Sequence, residues 1–214
     1  MDFKEIEDLL IKHKIKIPRY QIINDIDEVD NLNLNYPVVL KIVSSTITHK
    51  SDVGGVVTNI YDKEALIRAI QKLKAQLSEK KLTALIEGFR VEEQITDGLE
   101  FLLGSSYDSS FGIVGAFGFG GIAVELYQDV VFFLPEQASS HSRVKHIISK
   151  TKIGKKLLKT HEFRGKRINI NALYDAVVGF SQLLHKHALS NLEINPLICN
   201  SQGCWACDIR YKRK

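Results

Sequence analysis

Residues 36–60 read YPVVLKIVSSTITHKSDVGGVVTNI, and they limit the fold more than any other stretch of the chain. The run 38–43 is apolar except for Lys41. A second β-rich run, 56–60, follows a loop that ends on Gly54 and Gly55. Two β-branched runs separated by a glycine-bearing loop predict an antiparallel hairpin. A lysine inside such a strand costs free energy unless its ammonium reaches water or an anion. Its stem either snorkels outward or aims the charge at a ligand.

Elsewhere the periodicities alternate. Phe3, Ile6, Leu9 and Leu10 have helical spacing. A short strand is predicted around Pro18, then a polar connector. Residues 63–78 are predicted as a helix, with Ala65, Leu66, Ala69, Ile70, Leu73 and Leu77 on one face. From Leu82 the texture turns to strands: TALIEGFRVEEQI, LEFLLGSSYD, FGIVGAFG and VVFFLP. Residues 142–160 are predicted as helix with a break near Gly154. Residues 169–187 form a stronger helix, capped by Asn169 or Asn171. Two strands around the turn NSQG close the chain. This order predicts an α+β chain of two sheet-containing lobes.

The chain's 214 residues leave room for one or two domains with ordinary cores. The net charge of +4 is scattered, and no aromatic–basic module accompanies it, which argues against nucleic acid as a partner. No apolar run is long enough to span a bilayer, and the charged amphipathic start is unlike a signal peptide. Of the three cysteines only Cys204 and Cys207 are closely spaced, too few for a zinc site. They read as reduced, and a cytoplasmic location is expected. His141, His146, His161, His185 and His187 lie in polar or helical contexts and read as surface residues.

The cluster GAFGFGGIAVE fits neither the dinucleotide fingerprint nor a P-loop. Alone it reads as a tight turn between strands. Near the C-terminus, LEINPL and CWACDIR place Glu193, Asn195 and Asp208 in apolar strands. An amide oxygen and a carboxylate on neighbouring strands can hold Mg²⁺, which keeps phosphates and waters as its other ligands. With a strand lysine, they suggest a metal–triphosphate site.

The blocks YPVVLKIVSSTITHKSDVGGV, VEEQITDGLEFLLGSSYDSSFG, AFGFGGIAVELYQDV, FRGK and LEINPLICN…GCWACDIR resemble the ATP-grasp β subunit of ADP-forming acyl-CoA synthetases, of which acetate–CoA ligase is the best-known type. The resemblance runs from about Leu9 to Tyr211. It implies an α+β ATP-grasp fold, with one lobe at 21–87 and the other at 88–214 joined by residues 1–20, and ADP or ATP between them. It implies a reversible conversion of acyl-CoA, ADP and phosphate into acid, CoA and ATP. An α subunit would carry the CoA-binding domain and a phosphohistidine, in a heterotetramer of two α and two β chains. His49 matches the histidine that relays the phosphoryl group to the nucleotide. Lys41 matches a phosphate contact, with Thr48 and Lys50 on the same phosphate-side loop. Glu92 matches the ribose-contacting carboxylate, Ile95 the hinge beside the base, and Glu100 a carboxylate near the nucleotide. Asn195 and Asp208 match the Mg²⁺ ligands. A succinyl-CoA-synthetase-like β subunit and a non-catalytic ATP-sensing module are the alternatives.

An imidazole with its ordinary pKa near 6.5 keeps a neutral, nucleophilic fraction at neutral pH. A strand lysine can be aimed at phosphate with little reordering.

Overall fold

The computed structural model describes residues 3–47, 50, 53–121 and 129–212. The chain divides into two compact units, one comprising Met1–Ile17 and Ile95–Lys214, the other Pro18–Gln94.

The smaller unit is a four-stranded sheet in the order β1-β4-β2-β3. Its strands are β1 (Tyr20–Ile23), β2 (Val38–Val43), β3 (Val56–Ile60) and β4 (Gly88–Glu93). The predicted β2–β3 hairpin is present and antiparallel. β4 pairs antiparallel with both β1 and β2. This moves the lobe boundary expected at residue 88. Gly88–Glu93 hydrogen-bonds into the middle of the smaller sheet, so the division falls after Gln94. Likewise β1 draws Pro18–Tyr20 into this unit.

The larger helix of this unit, predicted over 63–78, spans Lys63–Glu79 and starts on the Asp62 side chain, which accepts from the Ala65 N–H. Leu66, Ile70, Leu73 and Leu77 point from it onto Val38, Leu40, Ile42, Phe89 and Val91, all buried in one core. Because side chains alternate along a strand, Lys41, Arg90 and Glu92 fall on the opposite face of the sheet.

The larger unit is built on β5 (Leu99–Asp108), β6 (Gly112–Phe119), β7 (Val130–Phe133), β10 (Leu192–Asn200), β11 (Gly203–Ala206) and β12 (Ile209–Tyr211). The sheet order is β11-β10-β5-β6-β7, with β12 also paired to β10. A separate short hairpin joins β8 (Glu162–Phe163) to β9 (Lys166–Arg167). Leu99, Phe101 and Leu103 of β5 and Phe117 of β6 face a core that also takes in Ile6 and Leu10 of the N-terminal helix α1 (Phe3–Lys12). Numbering the Lys63–Glu79 helix α2, the further α-helices among the described residues are α3 (His141–Ile148), α4 (Lys152–Thr160) and α5 (Ile170–His187). α5 is the most buried of them, contributing Leu173, Val177, Phe180 and Leu184 to this core. Asn169 supplies its N-cap, accepting from Ala172.

Two further expectations are corrected here. The helical break lies at 149–151, before Gly154. Thr151 ends one helix by donating to the Ile148 carbonyl and starts the next by accepting from the Gly154 N–H. The cysteines are not all reduced: Cys199 and Cys204 face each other in the β10–β11 register, Cα atoms 4.1 Å apart, and are joined by a disulfide. Cys207 keeps its thiol. One histidine that the sequence analysis left unread is buried. His13 follows α1, is only 6% exposed, and has no hydrogen-bond partner for Nε2 among the described residues. Its ring meets that of His187 edge-on at 6.0 Å.

Burial holds the His13 imidazole below its ordinary value, and Lys186, His187 and Lys12 push the same way against a hydrogen bond with Gln182. The folded chain therefore binds this proton less readily than the unfolded chain. Stability should be full above about pH 6.5, fall as the pH drops below it, and level off below the folded value. Urea midpoints measured across that window should show this loss, and His13→Gln should flatten it.

Candidate functional site

In the smaller unit, β2 and β4 run antiparallel with Lys41 directly opposite Arg90. Glu92 lies two residues along on the same face and opposite Tyr20 of β1. One carboxylate thus receives two cations. The Lys41 ammonium pairs with Oε1 of Glu92, and Nε of Arg90 donates to Oε2 at 2.9 Å. The Arg90 guanidinium also stacks 3.6 Å above the Tyr20 ring. Glu92 is 2% exposed and Arg90 8%. Buried charges persist only when paired and hydrogen-bonded, and this cluster meets that requirement with two cations on one carboxylate.

Arg90 is the residue that the sequence analysis passed over. A signal was present: in GFRVEE the arginine stands two residues before the glutamate, between Phe89 and Val91. Period-two alternation puts both charges on one face.

The loop after β2 is described in part. Thr48 and His49 lie outside the described residues. The Lys50 carbonyl accepts from the Gly55 N–H at 2.7 Å, and the Gly55 carbonyl accepts from Ile42 at 3.0 Å, closing the loop onto its strand. Gly54 has φ +75°, while a β-carbon on Gly55 would lie 2.6 Å from the Ile42 side chain. One glycine therefore serves the turn and the other permits close packing.

In the larger unit Glu100 projects from β5 on the face away from the core, which takes its neighbours Leu99 and Phe101. The end of the glycine cluster lies beside it. Gly120 donates to the Glu100 carbonyl at 2.8 Å. A β-carbon on Gly120 would sit 2.4 Å from the Phe101 backbone. Gly121, at φ +64°, brings its α-carbon under the Glu100 carboxylate, and its N–H donates to Oδ1 of Asn195 at 2.9 Å. The glycines thus let β6 close onto β5 and bring Glu100 and Asn195 to the same backbone turn. Residues 122–128, including Glu125, lie outside the described residues.

Asn195 and Asp208 are neighbours across the strands. The Asn195 N–H donates to the Asp208 carbonyl at 3.0 Å. The Asp208 carboxylate lies 3.3 Å from Arg210. Asn195 Oδ1 keeps a second lone pair, so this pair offers an amide oxygen and a carboxylate oxygen, a donor set that suits a hard divalent cation. No group of three or more His, Cys, Asp or Glu that could hold a metal occurs among the described residues. A cation here would draw its other ligands from phosphate and water. Ile95 opens the second segment of the larger unit, partly exposed, just after Gln94.

The ATP-grasp domain family matches residues 1–212. The chain belongs to the ATP-grasp family. It is 30% identical over 210 residues to the beta subunit of ADP-forming acetate–CoA ligase I from Pyrococcus furiosus, covering 96% of this chain and 88% of that one. It is also 30% identical over 208 residues to ADP-forming acetate–CoA ligase I from Archaeoglobus fulgidus, but spans only 29% of that longer protein. A solved structure of the dinucleotide-forming acetyl-coenzyme A synthetase 1 of Ca. Korarchaeum cryptofilum, in complex with coenzyme A, Ca-AMPCP and HgCl⁺, matches 99% of this chain and 92% of its own, with a TM-score of 0.87 and 28% identity. The ATP-grasp architecture of mixed helix and sheet is therefore the fold of this chain. No helix among the described residues is long and apolar enough to cross a membrane.

A side chain at Gly121 would have to adopt a left-handed backbone and displace the Glu100 carboxylate, whose Oε2 lies within bonding range of the added carbon. Gly121→Ala should lower stability by about 1–2 kcal/mol. Adding Glu100→Ala should recover only the steric part, as read from denaturant midpoints.

Proposed function

We propose that this chain is the nucleotide-binding beta subunit of an ADP-forming acyl-CoA synthetase. Acting with an α subunit, it would catalyse acetyl-CoA + ADP + phosphate ⇌ acetate + CoA + ATP. The observation that carries the reading is the strand lysine Lys41, held with Arg90 on the Glu92 carboxylate in a nearly buried cluster. Support also comes from the near full-length likeness to a separate beta subunit and to an enzyme structure holding Ca-AMPCP.

In this reading Lys41 binds the nucleotide phosphates, with Thr48 and Lys50 beside them. Glu92 accepts from the ribose, Ile95 meets the base through its backbone, and Glu100 stands near the nucleotide. Asn195 and Asp208 hold Mg²⁺, which when bound offsets phosphate charge. His49 carries the phosphoryl group. Its neutral imidazole attacks the phosphorus of the partner's phosphohistidine, forming one P–N bond as the other breaks. A β-phosphate oxygen of ADP then takes the phosphoryl group, the His49 P–N bond breaks, and ATP results. Such transfer depends on positioning and charge, which a rigid strand lysine supplies. The CoA-binding domain and first phosphohistidine belong to the α partner, in a heterotetramer of two α and two β chains. Neither nucleic acid nor membrane enters the reading, and the complex works in the cytoplasm.

With the α partner, γ-labelled ATP and Mg²⁺, acid-labile label should appear on this chain and vanish in His49→Ala. That variant should lose ATP formation while still binding nucleotide. Label on the partner alone would favour direct transfer, as in a succinyl-type subunit. Label on neither chain would favour a nucleotide-sensing module. Asp208→Asn, which removes one ligand charge, should weaken Mg-nucleotide binding about tenfold. An unchanged magnesium titration would remove Asp208 from the metal site.

A further inference from the structure

We propose that Arg90 is a positioning residue that allows Lys41 to leave Glu92 and engage a nucleotide phosphate. The inference rests on the nucleotide-binding reading above and adds to it a role for a residue outside the matched motifs. In the structure Lys41 and Arg90 share the two oxygens of one carboxylate. Arg90 reaches it from the same strand, with its guanidinium stacked on Tyr20 at 3.6 Å. Lys41 reaches it from β2 on a flexible stem, its side chain 14% exposed.

A ligand phosphate that draws the ammonium away takes a counter-charge from Glu92, which is 2% exposed. A buried carboxylate stripped of its only cation is strongly destabilising. Arg90 removes that penalty, because its planar fork stays bonded to Oε2 while Lys41 turns away. With two cations on one carboxylate, Glu92 therefore keeps a partner when Lys41 departs. With the arginine absent, every phosphate contact by Lys41 would strand Glu92.

The cluster's neighbours are consistent with this division of labour. The groups facing Glu92 are Tyr20 from β1, Lys41 from β2 and Arg90 on its own strand. Stacking on Tyr20 holds the arginine.

The test compares ADP with adenosine, which has no phosphate to recruit Lys41. Calorimetry on the full chain with Mg²⁺ should show Arg90→Met weakening ADP roughly 100-fold, the scale set by unpairing a buried carboxylate. Adenosine should change by less than about threefold, because the Lys41–Glu92 pair then stays closed. Arg90→Lys keeps the charge and should restore most of the ADP affinity. Arg90→Gln is a second neutral variant should the methionine variant fail to melt cooperatively. Equal losses for ADP and adenosine would make Arg90 a brace for the ribose pocket and overturn the proposal, as would unchanged ADP affinity. A wild-type chain that binds neither ligand would instead overturn the nucleotide reading itself.

Discussion

The larger unit depends on one strand, β10, which pairs with β5 along one edge and with both β11 and β12 along the other. Pro196 stands in its middle and has no N–H for the ladder. A proline is tolerated inside a sheet at an irregularity, and the β10–β5 register shifts between Ile194 and Leu197. The shift changes the strand's phase. Leu192 and Ile194 are buried before it, Leu197 and Cys199 after it. Asn195 falls at this interruption, where its N–H turns to the Asp208 carbonyl and its Oδ1 takes the Gly121 N–H. The same irregularity that lets the sheet keep its core thus ties the Asn195 backbone to Asp208 and its side chain to Gly121.

The smaller unit follows another logic. Its sheet has an apolar face covered by α2 and a second face bearing Lys41, Arg90 and Glu92. A lysine in an apolar strand is costly alone. Opposed to an arginine and sharing its carboxylate, it becomes part of a paired cluster. The sharing of one carboxylate by two cations is a property of three residues on two strands, and none of them carries it singly.

Much of the fold was legible in the sequence because the periodicities were strong. The β2–β3 hairpin, β5 and α5 fall where alternation and helical spacing place them. The motif blocks supplied Lys41, Glu92, Asn195 and Asp208 as candidates for the proposed site. The misplaced lobe boundary has a different origin. GFRVEE reads as a strand in any sheet, and only its pairing with β1 and β2 assigns it to the smaller unit. Gly154 drew the helical break to itself because glycine is a poor helix former, whereas the Thr151 hydroxyl ends one helix and starts the next. His13 went unremarked because its burial is imposed by α5, far along the chain, through contacts with His187.

The sequence by itself determined the elements, the family and the residue types on which the proposed phosphate and cation site rests. Those follow from local periodicity and from motif blocks that the chain carries contiguously. Tertiary structure decided which of those residues share partners. Strand register set Arg90 against Lys41 and joined Cys199 to Cys204 rather than leaving Cys204 to Cys207. Register is a relation between segments distant in sequence, settled by which faces must be buried together, and no single stretch of chain records it.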